Sequence, residues 1–141
     1  MAKVFLVARM FRWASASLVG NSEILPHDYR ARVEVRLDSG WMLDEDGYAF
    51  PAAGFLPLEE WISENWDRSL FLVEGGDSQN MEFSRLRTVV WSQSPTPEVI
   101  ARKLFEEASL LLPDDPQRIK ISSVTVWESE SYSVEYRRQN S

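Results

Sequence analysis

The chain of 141 residues contains no cysteine and a single histidine, His27. Without cysteine it cannot form disulfides, bind an iron–sulfur cluster through thiolates or use a thiol nucleophile. A structural zinc site takes four ligands and a catalytic one usually three, so one histidine cannot build a Cys/His zinc site within one protomer. The available chemistry is therefore that of carboxylates, hydroxyls, arginines, one imidazole and many aromatic rings.

Long apolar runs and excess basic charge are also missing. No run approaches the roughly 20 residues of a membrane span, and the apolar first ten residues lack the small-residue cleavage pattern of a signal peptide. The formal net charge of −7 opposes binding to phosphate backbones. We therefore expect one domain spanning residues 1–141, located in the cytoplasm, with neither nucleic acid nor a membrane as partner.

Hydrophobic periodicity predicts two helices among several strands. Apolar spacing after Pro57 predicts a helix over 58–71, and Thr96 as N-cap with Pro97 at the first helical position begins a second helix that stops at Pro113. Strand-like segments are predicted over 4–10, 30–37, 85–91, 119–127 and 132–137. This order favours an α+β fold with an antiparallel sheet and helices on one face.

Six short segments, taken in order, resemble motifs of the 6-pyruvoyltetrahydropterin synthases and the related 6-carboxytetrahydropterin synthases. They span nearly the whole chain at compatible spacing: WASAS (13–17), LPHDY (25–29), FLPL (55–58), DRSL (67–70), SPTPE (94–98) with Ala101, and VTVWE (124–128). The resemblance implies the tunnelling architecture (T-fold), a four-stranded antiparallel sheet with two helices on one face. It also implies edge-to-edge association into rings, as a trimer or a hexamer, which would remove open sheet edges.

The chain departs from that family at its zinc and catalytic positions. The three zinc histidines correspond to Ser17, Leu25 and His27, and the catalytic cysteine has no counterpart. A variant class of the family has a glutamate two residues before the metal pair, where this chain has Glu23. The histidine of the family's Asp-His pair corresponds to Arg68, next to Asp67. We therefore expect no bound metal and no cofactor, and take His27, Glu23, Asp67 and Arg68 as candidate catalytic residues.

The ring-binding part of the family site has closer counterparts. Glu128 resembles the glutamate that accepts hydrogen bonds from the amino-pyrimidine edge of a pterin, a geometry that suits the two oxygens of a carboxylate. Thr96 and Glu98 would add neighbouring polar contacts. Among the tryptophans, Trp13 and Trp41 lie near segments read as irregular and are candidates to line a pocket.

Each candidate also has an ordinary structural interpretation. His27 could be a surface or hydrogen-bonded core histidine, Glu128 a solvated carboxylate at a strand end, and Glu23 a loop carboxylate. Asp67 and Arg68 could form an ion pair at a helix end. Thr96 would act first as an N-cap, and Glu98 as an acid that complements the helix dipole.

Two functional hypotheses follow. In the first, the protein is a zinc-independent enzyme that binds a pterin or another flat heterocycle and catalyses a lyase or cyclisation step by acid–base chemistry. In the second, it is a non-catalytic binding or assembly protein that keeps the fold. The first predicts a polar, concave site around Glu128 and His27, and the second a filled or apolar one.

Overall fold

The residues that the structure describes form a single six-stranded sheet with two helices. The computed structural model describes residues 4–19, 23–38, 45, 47, 50–74, 87–112 and 119–139, with the backbone alone at 18, 19 and 23–25. The strands are β1 (Phe5–Val19), β2 (Glu23–Leu37), β3 (Ser69–Val73), β4 (Arg87–Trp91), β5 (Ile119–Ser129) and β6 (Tyr132–Arg137). The helices are α1 (Leu56–Asn65), preceded by a 3-10 turn at Ala52–Phe55, and α2 (Pro97–Leu111).

The strand order is β4-β3-β1-β2-β5-β6. The pairs β1–β2, β2–β5 and β5–β6 are antiparallel, whereas β1–β3 and β3–β4 are parallel. The α+β class and the two helices are confirmed, but the prediction of a four-stranded antiparallel sheet is wrong. The sheet is mixed and gains β3 and β4 beside β1.

The additional strand β3 lies where the sequence analysis extended the first helix. The helix predicted over 58–71 ends at Asn65, and the chain pairs with β1 from Ser69. Leu70, Phe71 and Leu72 are all buried, so both faces of β3 are covered. A short strand buried on both faces shows no period of two, and such an apolar run cannot be distinguished from a helix by periodicity.

Alternation along β1 and β2 separates the two faces of the sheet. Phe11 and Trp13 on β1, and Ala31, Val33 and Val35 on β2, are buried, and the residues between them are exposed or half-buried. In a strand successive side chains point to opposite faces, so these buried residues share one face. The predicted strands over 4–10 and 30–37 are both longer in the structure, at 15 residues each.

Both helices pack on that buried face. The Phe55 ring at the start of α1 lies 6.1 Å from the Phe11 ring, and the Phe105 ring of α2 lies 5.1 Å from the Tyr136 ring of β6. Helix α2 begins as predicted, because the Thr96 side chain accepts a hydrogen bond from the Val99 N–H at 3.3 Å. Its face formed by Ile100, Ala101, Leu104 and Ala108 is buried. In the described part of the chain, no helix is long and apolar enough to cross a membrane.

Candidate functional site

A polar cavity of about 750 Å³ opens where β1, β2 and β5 lie side by side. His27 and Glu128, proposed from different ends of the sequence, both line it. Strand register accounts for this placement: Trp13 pairs with Tyr29, Ser15 pairs with His27, and the pairing of Arg30 with Trp127 sets Glu128 beside Tyr29. Two consecutive strands and a third that is distant in sequence thus bring an imidazole, a carboxylate and two aromatic rings to one place.

Stacked aromatic rings form one wall of this cavity. The Trp13 and Tyr29 rings are 5.2 Å apart with an interplanar angle of 15°, and the His27 ring lies 5.3 Å from the Tyr29 ring. Trp13 and Tyr29 are almost completely buried, and His27 is half-buried. The placement of Trp13 agrees with its predicted pocket-lining role, whereas Trp41 lies outside the described residues.

Three polar atoms on this face of β1 are buried without a hydrogen-bond partner among the described residues. They are the indole Nε1 of Trp13 and the Oγ atoms of Ser15 and Ser17. Most buried polar atoms in native proteins are satisfied, so an unsatisfied one indicates a missing water, ion or ligand atom. Trp13 supplies a donor, and Ser15 can donate or accept.

The hydroxyl of Tyr29 is held in its protonated form. Burial is the largest influence and raises the pKa of Tyr29, the nearby Ser17 hydroxyl lowers it in part, and the negative charge of Glu128 raises it further. Because the net shift is upward from an ordinary value of about 10, the hydroxyl keeps its proton at neutral pH. Tyr29 is thus a neutral group beside the carboxylate of Glu128.

The positions that correspond to family zinc ligands come together on the β1–β2 pair. Ser17 pairs with Leu25, and His27 lies two residues further along β2. A leucine side chain has no donor atom for a metal. Within the ranges that the structure describes, no group of three His, Cys, Asp or Glu residues is placed to hold a metal ion.

Asp67 and Arg68 form the connection from α1 to β3 and hold the backbone of β1. The Ala14 N–H donates to Oδ1 of Asp67 at 3.0 Å, and the Arg68 N–H donates to the Ala14 carbonyl at 2.6 Å. Arg68 has a positive φ of 57°, and its side chain is exposed. No ion pair between Asp67 and Arg68 occurs in the described structure. Since Ala14 lines the cavity, this connection supports one of its edges.

The remaining predicted site residues are not brought to this cavity by the described structure. Thr96 acts as the N-cap of α2, and Glu98 is exposed in the first turn of that helix; neither lines the cavity. Glu23 is the first residue of β2, and its side chain lies outside the described residues. Tyr29 and Ser15 were missed as site residues. The alternation from Phe11 to Ser17 would have indicated that Ser15 points to the same face as Trp13.

A model of the 6-pyruvoyl tetrahydropterin synthase family matches residues 7–139 of this chain. No curated protein sequence gives a significant match. A solved structure of an uncharacterized protein from Wolinella succinogenes is similar with a TM-score of 0.77 and 14% identity, covering 97% of this chain and 99% of that chain.

Two further solved structures carry the family name. The 6-pyruvoyl tetrahydropterin synthase of Caenorhabditis elegans has a TM-score of 0.66 and 16% identity, with 97% of each chain covered. A variant of the Plasmodium vivax enzyme, in which a catalytic glutamate is replaced by alanine, has a TM-score of 0.59 and 18% identity, with 98% of each chain covered. At such identities the structural similarity establishes the fold alone.

Proposed function

Because the chain belongs to the 6-pyruvoyl tetrahydropterin synthase family, we propose that its β1–β2–β5 cavity binds a pterin or another flat heterocycle through Glu128. We further propose that the bound molecule undergoes a zinc-independent lyase or cyclisation step by acid–base chemistry. The observation that carries the proposal is that His27 and Glu128 line one concave, polar cavity. A filled or apolar site would have favoured the non-catalytic alternative.

Glu128 is the proposed anchor for the ring. Its carboxylate is half-buried on β5 and close enough to Tyr29 to raise the pKa of that hydroxyl. Two carboxylate oxygens can accept two parallel N–H bonds from an amino-pyrimidine edge, the bidentate geometry that gives both strength and orientation. Trp13 and Tyr29 line the cavity and would border the bound ring, and the unpaired Nε1 of Trp13 would donate to a ring acceptor.

The donor set supports a reaction without zinc. Where the family has three histidines, this chain offers a serine hydroxyl, an apolar leucine and the imidazole of His27. Zinc in proteins is bound by thiolate, imidazole and carboxylate ligands. The side chains at these three positions therefore do not make a zinc site.

Proton transfer is therefore assigned to the side chains. Histidine is the side chain most often used for general acid–base catalysis, so His27 is the proposed acid or base. Glu23 is a second candidate, and the catalytic glutamate of the Plasmodium vivax relative supports it by analogy. Asp67 and Arg68 are better explained as positioning residues, because Oδ1 of Asp67 and the Arg68 N–H bind the backbone of Ala14. Thr96 and Glu98 are retained as ligand contacts only if a partner subunit supplies them.

Self-association into a trimer or hexamer is part of the proposal. The edge strands β4 and β6 are open within the described chain, and Val90 and Tyr132 on them are exposed. Pairing these edges between copies would satisfy their backbone groups. Sedimentation equilibrium should give a mass of three or six chains, and a monomer would contradict this part.

Thermal shift in the presence of neopterin tests the binding step. A ligand at one hundred times its Kd stabilises by about 2.7 kcal/mol, which corresponds to a Tm increase of roughly 5–10 °C for a domain of this size. We expect Glu128→Ala to abolish the increase while Glu106→Ala, an exposed carboxylate on α2, leaves it unchanged.

The same samples should be analysed for metal. Stoichiometric zinc would overturn the assignment of a zinc-independent site. Absence of a shift with neopterin and with other flat heterocycles would favour the non-catalytic binding or assembly protein. A shift that His27→Gln preserves, while product formation is lost, would support His27 as the acid–base group.

A further inference from the structure

A second cavity lies at the β4 edge of the sheet, between that strand and the two helices. It has a volume of about 340 Å³ and shares none of its lining residues with the β1–β2–β5 cavity. Trp61 on α1, Trp91 on β4 and Lys103 on α2 bring three separate elements to it. Neither the family resemblance nor the proposed function assigns it a role.

Three tryptophans form an aromatic wall of this second cavity. The Trp61 and Trp66 rings are 5.0 Å apart in an edge-to-face arrangement, and the Trp66 and Trp91 rings are 5.6 Å apart. Trp66 is 2% exposed, so its position is fixed by packing on several sides. Rigid aromatic rings of this kind bind flat ring compounds with little loss of side-chain entropy.

One of these tryptophans has an unsatisfied donor. Trp91 is 93% buried, and its indole N–H has no hydrogen-bond partner among the described residues. A buried N–H without a partner is destabilising, and an acceptor atom of a ligand would remove that penalty. The cavity is therefore suited to a molecule that carries a hydrogen-bond acceptor as well as a ring.

The charges around the cavity specify the sign of that acceptor. Arg87 and Lys103 line it, and no acidic side chain does so in the described part of the chain. This composition contrasts with the whole chain, in which 22 acidic residues outnumber 15 basic ones. Arg87 is held in place because one of its terminal nitrogens donates to the carbonyls of Asp67 and Ser63, at 2.6 and 3.3 Å. The ammonium of Lys103 is 3.0 Å from the Glu107 carboxylate, and its side chain is partly accessible to a ligand.

We propose that this cavity binds a planar aromatic carboxylate of one or two rings. The ring lies against the tryptophan wall, and the carboxylate accepts from the Trp91 N–H and from the cations of Arg87 and Lys103. A volume of about 340 Å³ is at the small end of the range for ligand pockets, which restricts the ligand to that size. The proposal is independent of the proposed pterin site.

Isothermal titration of the full chain with 2-naphthoate tests the proposal, with 2-naphthamide as a neutral analogue of similar shape. We expect 2-naphthoate to bind at least tenfold more tightly than the amide, and its affinity to fall with increasing salt. Trp91→Phe keeps a ring but removes the donor, and Lys103→Met removes a charge from an exposed helix face. Each should weaken 2-naphthoate binding about tenfold, while Trp127→Phe on β5 should leave it unchanged.

Three results would overturn the proposal: no heat of binding, equal affinity for the carboxylate and the amide, or full affinity in both Trp91→Phe and Lys103→Met. Binding that is lost in Glu128→Ala but kept in those two variants would place 2-naphthoate in the β1–β2–β5 cavity and also exclude this site. Circular dichroism of each variant separates loss of the site from loss of the fold.

Discussion

Replacing Asp67 with alanine should destabilise the protein although Asp67 lies in a connection between α1 and β3. Oδ1 of Asp67 accepts the Ala14 N–H at 3.0 Å, at the point where β1 has not yet begun to pair with β3 at Ser69. The carboxylate thus takes the place of a strand partner for one residue of β1. Its removal leaves that N–H to water, and leaves the Arg68 N–H bond to the same residue unsupported.

The size of the effect follows from the type of bond. A hydrogen bond that involves a charged group contributes about 1.5–3 kcal/mol when shielded from solvent. Asp67 is half-buried and Ala14 is exposed, so water competes for the N–H. We therefore expect a loss of about 1–2 kcal/mol. In urea, with a slope of about 2 kcal/mol per molar, the midpoint should fall by roughly 0.5–1 M.

Two companion variants make the measurement specific. Asp67→Asn keeps an oxygen acceptor without the charge and should lose about half as much stability, whereas Glu64→Ala on the exposed face of α1 should change the free energy of unfolding by less than about 0.5 kcal/mol. If Asp67→Ala unfolds at the same urea concentration as the unaltered chain, the carboxylate does not support β1. Asp67 would then return to the list of candidate catalytic residues.

Three further predictions concern other parts of the molecule. Arg68→Val should lower the free energy of unfolding by about 1–2 kcal/mol in the same urea assay, because a β-branched residue is disfavoured at a positive φ. Arg68→Gly should not lower it, and equal losses in the two variants would refute the role of the backbone conformation. Because burial raises the pKa of Tyr29, the unfolded chain releases that proton first. The contribution of Tyr29 to folding stability is therefore present below about pH 10 and is lost as the pH rises through the folded pKa. Tyr29→Phe should lose less stability at alkaline pH when unfolding is followed by circular dichroism, and an identical loss would contradict the shift. Leu104→Ala, at a fully buried position of α2, should cost about 2–5 kcal/mol in thermal unfolding, and a smaller loss would mean that the core rearranges to fill the space.

The sequence predicted those elements whose periodicity is regular. Helix α2 has both a start signal at Thr96 and a buried stripe, and the strands β5 and β6 alternate, so these elements were expected close to their observed bounds. Strand β3 was missed because it is short and covered on both faces. The end of α1 was missed because the left-handed residue that redirects the chain is Arg68, where a glycine would have been the usual signal.

The candidate site was only partly predictable for a different reason. His27 and Glu128 are 101 positions apart, and nothing in local periodicity relates them; the family resemblance suggested both, and the strand register brings them to one cavity. The role of Tyr29 depends on burial and on the charge of Glu128, which are properties of the folded chain. Asp67 was predicted as a catalytic residue or as part of an ion pair at a helix end, but its bond to the backbone of Ala14 could not be inferred from spacing.

The residues that by resemblance correspond to the family's zinc positions lie apart from another buried part of the core. Ser17, Leu25 and His27 lie toward the end of the β1–β2 pair where the two strands connect. The fully buried Val33 and Val35 lie toward the other end of β2, and the fully buried Leu104 lies on α2, which packs against β5 and β6. A substitution near the first end is therefore expected to alter donor atoms without opening a hole in this part of the core. Glu128→Ala should accordingly remove ligand binding with little loss of stability, whereas Leu104→Ala should lower the Tm and leave ligand affinity intact as long as the chain is folded.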